Sequence, residues 1–68
     1  MKIFQERLKE QRILNKVTQR QIADFLQITQ PSYIRYEIGT SEPNLENLVK
    51  IADYFDVSVD YLLGRAEY

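Results

Sequence analysis

The stretch TQRQIADFLQITQPSYIRYEIG, residues 18–39, decides the fold. Two short segments lie back to back there, each opening on a threonine and each carrying its apolar residues at helical spacing. Gln21 follows Thr18 at the spacing of a capping box, and Val17 is placed to staple onto Ile22. Thr29 opens the second segment, Ile28 is placed to staple onto Tyr33, and Gly39 supplies a left-handed cap. The spacing therefore predicts one helix after Thr18 and another from Thr29 to near Ile38, joined by a turn of three or four residues. The second helix divides by face. Tyr33, Tyr36 and Glu37 share one side, while Gln30, Pro31, Ile34 and Arg35 share the other.

The same grammar extends outward. A first helix is expected from Ile3 to Asn15, with Phe4 and Leu8 on its inner stripe and Ile13 or Leu14 continuing it. A fourth follows Asn44, with Leu45, Leu48, Ile51, Ala52 and Phe55 on one face. A fifth follows Ser58, with Val57 placed to staple onto Leu62, and stops at Gly64. An apolar residue followed by a Ser/Thr cap thus precedes the second, third and fifth helices, and each cap contributes about 1 kcal/mol. Ala23 lies between Ile22 and Leu26, where a small side chain lets another helix cross closely. No alternating strand pattern competes, since Val57-Ser58-Val59 reads as a cap. The expectation is an all-α single domain over residues 1–68, with a short tail at 65–68.

The 68 residues are 44% hydrophobic and contain no cysteine and no histidine. A core this small has no disulfide or Cys/His metal site to staple it, so it depends on well-capped helices or on association. Without His, Cys or a phosphate-cradling glycine loop, catalysis is not expected, and no cofactor or metal is implied. No apolar run is long enough to span a membrane, and the charged N-terminus lacks a signal-peptide core. The expected location is the cytoplasm. Net charge is −1, but it is polarised. Residues 1–36 carry seven basic against three acidic side chains, +4, and residues 37–68 carry two against seven, −5. The local field, rather than the net charge, steers a molecule toward phosphates, and the basic half contains the two-helix segment.

Two short helices in this order form a helix-turn-helix, in which the first props the second into the major groove of DNA. Gln30 is suited to reading adenine and Arg35 to reading guanine at O6 and N7. Pro31 and Ile34 share that face, and Ile34 suits either a thymine methyl or a partner subunit. Ser32 is placed for a base edge or a phosphate. Phosphate contacts are expected from Gln19 at the start of the second helix, from Lys16, Arg20 and Thr29, and from Thr40 and Ser41. The backbone amides and hydroxyls of Thr40 and Ser41 would offset the opposing charge of Glu42.

Residues 8–64 resemble the Cro/C1-type (XRE) helix-turn-helix family. The residues that carry the resemblance are Leu8, Arg12, Thr18-Gln19, Ile22-Ala23, Leu26, Ile28-Thr29-Gln30, Tyr36-Glu37, Gly39, Pro43, Leu45-Glu46, Leu48, Ile51-Ala52 and the run from Val57 to Gly64. The resemblance implies a five-helix, lambda-repressor-like domain with the third helix as recognition helix. It also implies a phosphate contact at Gln19, bases facing Gln30, Pro31 and Arg35, and an ion pair between Arg12 and Glu37. Dimerisation is implied through the last helix, around Val59, Tyr61 and Leu62. Three positions depart from the family pattern. Gln27 stands where glycine is usual, Pro31 disfavours helical geometry at Gln30 and predicts a helix starting one residue late, and the loop Thr40–Pro43 carries Glu42 where relatives often have Asn, Lys or Arg.

The function expected is a homodimeric transcriptional regulator, a repressor, reading a near-palindromic operator in double-stranded DNA. The competing expectation is a protein-interaction module of the same fold, such as an antitoxin. Because the sequence runs only a few residues past Gly64, no ligand-sensing domain is expected. No small-molecule ligand is therefore expected, and control would come through abundance, a partner or competition for sites.

Overall fold

The computed structural model describes all 68 residues as five helices and no strand: α1 (Lys2–Leu14), α2 (Gln19–Leu26), α3 (Gln30–Ile38), α4 (Leu45–Phe55) and α5 (Val59–Leu62). Each of the last four is opened by the side chain expected to cap it. Thr18, Thr29, Asn44 and Ser58 accept the backbone N–H of Gln21, Ser32, Asn47 and Tyr61 respectively. At Thr18 the box is complete, because Gln21 Oε1 accepts the Thr18 amide at 2.8 Å in return. These caps satisfy backbone donors that no helix bond can reach.

The helix ends share a second device. Lys16, Gln27 and Asp56 all adopt positive φ, between 55° and 59°. In each case the next residue, Val17, Ile28 or Val57, donates its amide to the carbonyl five residues back, at 3.0 Å. That bond closes the helix in the Schellman manner. Three joints are therefore one cassette: a left-handed residue, an apolar residue tucked against the core, and a Ser/Thr cap. Gln27, which stands where the family usually has glycine, is one of the three. Lys16 and Asp56 adopt the same conformation, each one residue before its apolar plug.

The core draws on every helix: Phe4 and Leu8, Ile22, Ala23 and Leu26, Tyr33 and Tyr36, Leu48, Ile51, Ala52 and Phe55, and Leu62. Ala23 is 1% exposed, as expected of a small residue at a close crossing. No helix is long and apolar enough to cross a membrane.

Several expectations need correction. Helix α1 begins at Lys2 and ends at Leu14, one residue earlier at each end than read. Its inner stripe runs Phe4, Leu8, Arg12, while Ile13 and Leu14 are 57% and 70% exposed. The four-residue register holds, but a charged side chain with a partner on α3 takes the third position. Leu45 is 81% exposed, so the inner face of α4 starts at Leu48. Helix α3 begins at Gln30 itself, because Tyr33 N–H already reaches the Thr29 carbonyl at 3.1 Å. Pro31 sits in the first turn, where its missing N–H has no helical partner to lose.

The C-terminus is tied back onto α1. One Arg7 guanidinium nitrogen donates to the carbonyls of Tyr61 and Ala66, and the group lies 4.4 Å from the Tyr61 ring centroid. Ser58 Oγ donates to the Tyr68 carbonyl at 2.7 Å.

Candidate nucleic-acid interface

One face of α3 is fixed to the scaffold. Tyr33 is fully buried, and Tyr36 meets it edge-on with ring centroids 6.0 Å apart. Next on that face comes Glu37, whose carboxylate joins three helices. Arg12 grips it with two nitrogens, Nε to Oε2 at 2.6 Å and NH2 to Oε1 at 3.2 Å. The Tyr33 hydroxyl donates to Oε2, and Gln19 Nε2 donates to Oε1 at 3.3 Å. Arg12 also donates to the Val17 carbonyl at 3.1 Å, which ties the pair to the joint before α2.

Burial alone would push the Glu37 carboxyl up. The hydrogen bonds from Arg12, Tyr33 and Gln19, together with the Arg12 charge, outweigh it and hold the carboxyl below its ordinary value. Burial and the neighbouring carboxylate push the Tyr33 hydroxyl far up, so it remains a donor. The hydrogen bond to Glu37 raises Arg12. The expected Arg12–Glu37 pair is present, and Tyr33 and Gln19 were not foreseen as its partners. The spacing of Tyr33 and Glu37, one helical turn, was the available signal.

The opposite face of α3 is open. Gln30, Pro31 and Arg35 are exposed, and Ser32 and Ile34 are half-buried. Arg35, Arg20 and Lys16 are all exposed and take part in none of the ion pairs. A groove of about 630 Å³ lies between the end of α1, the start of α2 and α3, which lines it at Gln30, Glu37 and Ile38. It brings Lys16, Gln19 and Gln30 together, and adds Lys9, Ile13 and Ile38, which the sequence reading had not placed there.

Some expected contacts are already occupied within the chain. The amides of Gly39, Thr40 and Ser41 all turn inward to the Arg35 carbonyl, at 2.9, 3.1 and 3.4 Å. They are spent on closing α3, so only the hydroxyls of Thr40 and Ser41 remain for a phosphate. Glu42 points instead at the N-terminal ammonium, 3.1 Å away. The Thr29 hydroxyl caps α3 and also donates to Ser32 Oγ at 2.8 Å. The predicted dimer surface is corrected at one residue. Leu62 is fully buried in the core, while Val59 and Tyr61 are half-buried. The reason is the staple itself, since an apolar residue four places after the Ser58 cap must face inward.

A family model described as "Helix-turn-helix" matches residues 8–62. The chain is 51% identical over 65 residues to the "Cryptic phage CTXphi transcriptional repressor RstR" of Vibrio cholerae, covering 96% of this chain and 57% of that protein. It is 48% identical over 61 residues to the "Uncharacterized HTH-type transcriptional regulator YqaE" of Bacillus subtilis, covering 90% and 53%. It is 46% identical over 61 residues to the "SPbeta prophage-derived uncharacterized HTH-type transcriptional regulator YonR" of the same organism, covering 90% and 56%. The chain thus spans little more than half the length of these relatives. No solved structure matches it. With its five helices, the last four capped, its anchored third helix and a match over most of its length, the chain belongs to the Cro/C1-type helix-turn-helix family of transcriptional regulators.

Proposed function

We propose that the chain is a sequence-specific DNA-binding transcriptional regulator, a repressor that binds a near-palindromic operator as a homodimer. The observation that carries this reading is the division of α3. Tyr33, Tyr36 and Glu37 lock one face, while Pro31 and Arg35, with Gln30 at the edge beside Glu37, are open to solvent. A rigidly held helix with free amide and guanidinium groups is suited to the donor and acceptor pattern of the major groove. Arg35 is the principal base reader, with Gln30 beside it and Ile34 and Ser32 at the margin. Lys16, Arg20, Gln19 and the hydroxyls of Thr40 and Ser41 hold the backbone, while the Thr29 hydroxyl serves as the cap of α3. Gln19 does so with a side chain already oriented by Glu37. Repression is supported by the 51% identity to a protein named as a transcriptional repressor.

The test is selection of bound genomic fragments followed by footprinting of those selected. Two protected half-sites about 34 Å apart are expected for a dimer with recognition helices in successive grooves. Arg35→Ala should weaken binding to the selected site by about 1–3 kcal/mol and relax specificity at one base pair. No sequence bound above the non-specific level at moderate salt would instead leave the chain an interaction module.

A further inference from the structure

We propose that Thr29 is a positioning residue for the reading of DNA: its hydroxyl makes the Ser32 hydroxyl an outward donor to an acceptor atom of the duplex. The proposal rests on the reading of α3 as a DNA-reading helix. It extends that reading from which residues face the duplex to how one of them is polarised.

The hydrogen bonds set the direction. Ser32 N–H donates to Thr29 Oγ1 at 3.2 Å, and Thr29 Oγ1 donates to Ser32 Oγ at 2.8 Å. A hydroxyl carries one proton and two lone pairs. Thr29 has spent its proton on Ser32, and the amide it accepts makes it the stronger donor of the two. One lone pair of Ser32 Oγ is therefore filled, and its own proton points away from Thr29. No other side chain or carbonyl of the chain bonds Ser32 Oγ. Amide, Thr29 and Ser32 form a relay that ends in a free O–H, strengthened by the two bonds behind it. Capping alone does not require this. Thr18, Asn44 and Ser58 also cap helices, and Thr29 alone donates onward to the side chain three residues later.

Position gives the relay its use. Ser32 is half-buried and lies three residues before the exposed Arg35, a spacing that makes the two neighbours on the helix surface. In the major groove, purine N7, guanine O6 and thymine O4 are acceptors, whereas cytosine presents only its N4 donor. An outward Ser32 donor therefore suits every base but cytosine at the position it meets. A phosphate oxygen is the other acceptor of the same chemistry. With the polarity reversed, Ser32 would donate to its own cap and turn only lone pairs outward, which suits cytosine N4 or adenine N6 instead. Thr29 thus sets the sign of the contact that Ser32 makes.

The experiment replaces the cap by one with no proton to give. Asn caps a helix as well as Thr does, and its Oδ1 would accept the Ser32 hydroxyl and turn it inward. Dissociation constants are measured by fluorescence anisotropy for the full chain on a duplex obtained by fragment selection, with melts showing each variant folded. Ser32→Ala and Thr29→Asn should each weaken binding about fivefold, the loss of one ordinary hydrogen bond. The double variant should be no weaker than either single one, because both remove the same contact. Thr29→Ser keeps cap and proton and should bind like the wild type. Cytosine placed at each selected base in turn, and a methylphosphonate at each phosphate, locate the acceptor. The difference between wild type and Ser32→Ala should vanish at one base or at one phosphate. Thr29→Asn binding like the wild type, Thr29→Ser as weak as Thr29→Asn, additive losses, or a Ser32→Ala chain without effect overturns the relay. A wild-type chain that binds no duplex at all overturns instead the reading of α3 on which the relay rests.

Discussion

Glu37 gathers one residue from each of the first three helices: Arg12, Gln19 and Tyr33. Its side chain is only 4% exposed and that of Arg12 14%, so the pair sits where a lone charge is costly. Arg12→Met should destabilise the fold by about 3 kcal/mol in denaturant titration, because Glu37 would be left buried without its cation. The same network makes a pH prediction. Glu37 is depressed below its ordinary 4.5 in the folded chain, so the unfolded chain binds the extra proton first. The stability it contributes is present above that value and is lost as pH falls through the folded one. Thermal melts between pH 6 and pH 2.5 should show stability falling below about pH 4.5, and Glu37→Gln should flatten that limb. An equally steep limb in the variant would assign the acid loss to other carboxylates. At this scale the sequence was legible wherever a residue acts on its own neighbours, as the caps do. Arg12 as an inner residue was not legible from spacing, because its partner lies 25 residues away in the chain. Ile13 and Leu14 looked equally able to fill that stripe.

The elements are set by their joints. Lys16-Val17-Thr18, Gln27-Ile28-Thr29 and Asp56-Val57-Ser58 perform the same three steps: a left-handed residue, an apolar plug and a cap. The apolar and cap positions were legible because their side chains explain them. The left-handed position was legible only at Gln27, and there only through resemblance, since Lys, Gln and Asp share no chemistry that favours it. Its register was the signal available: one residue before each staple. A side chain costs about 1 kcal/mol in this conformation, and glycine does not suffer it. Gln27→Gly should therefore raise the melting temperature, by about 4–8 °C if the full 1 kcal/mol is recovered. The added freedom of glycine in the unfolded chain trims the gain. A lower melting temperature would mean that Gln27 is held by contacts its backbone angle does not reveal. Gly39 gives the reverse case. It has φ of 89°, and a Cβ there would run into the Gln5 side-chain amide, so Gly39→Ala should destabilise by about 1–2 kcal/mol.

For the whole molecule, the question is how two copies would meet on one operator. Lys9 and Lys16 line the groove, Arg20 lies on α2 and Arg35 on α3, whereas seven of the ten acidic side chains fall within residues 37–68. Like-charged basic faces would both lie on DNA, so the contact between copies belongs elsewhere, and α5 is the proposed place. Its four residues divide sharply. Leu62 is fully buried, and Tyr61 is covered on one side by the Arg7 guanidinium and hydrogen-bonded through its hydroxyl to Gln11. Asp60 is exposed and paired with Arg65, and Val59, half-buried against the core, is the apolar residue of α5 with a face left for a neighbour. Two substitutions separate the roles. Leu62→Ala should cost about 2–5 kcal/mol in stability by opening a cavity, and should impair binding only through unfolding. Val59→Glu, at a half-buried position that packs against the core, should cost less than Leu62→Ala and leave the chain folded at about 25 °C. Sedimentation should then show a monomer, and footprinting should show half-sites filling independently where the wild type fills both together. A Val59→Glu chain that still sediments as a dimer and still binds both half-sites cooperatively would place the contact between copies on another face.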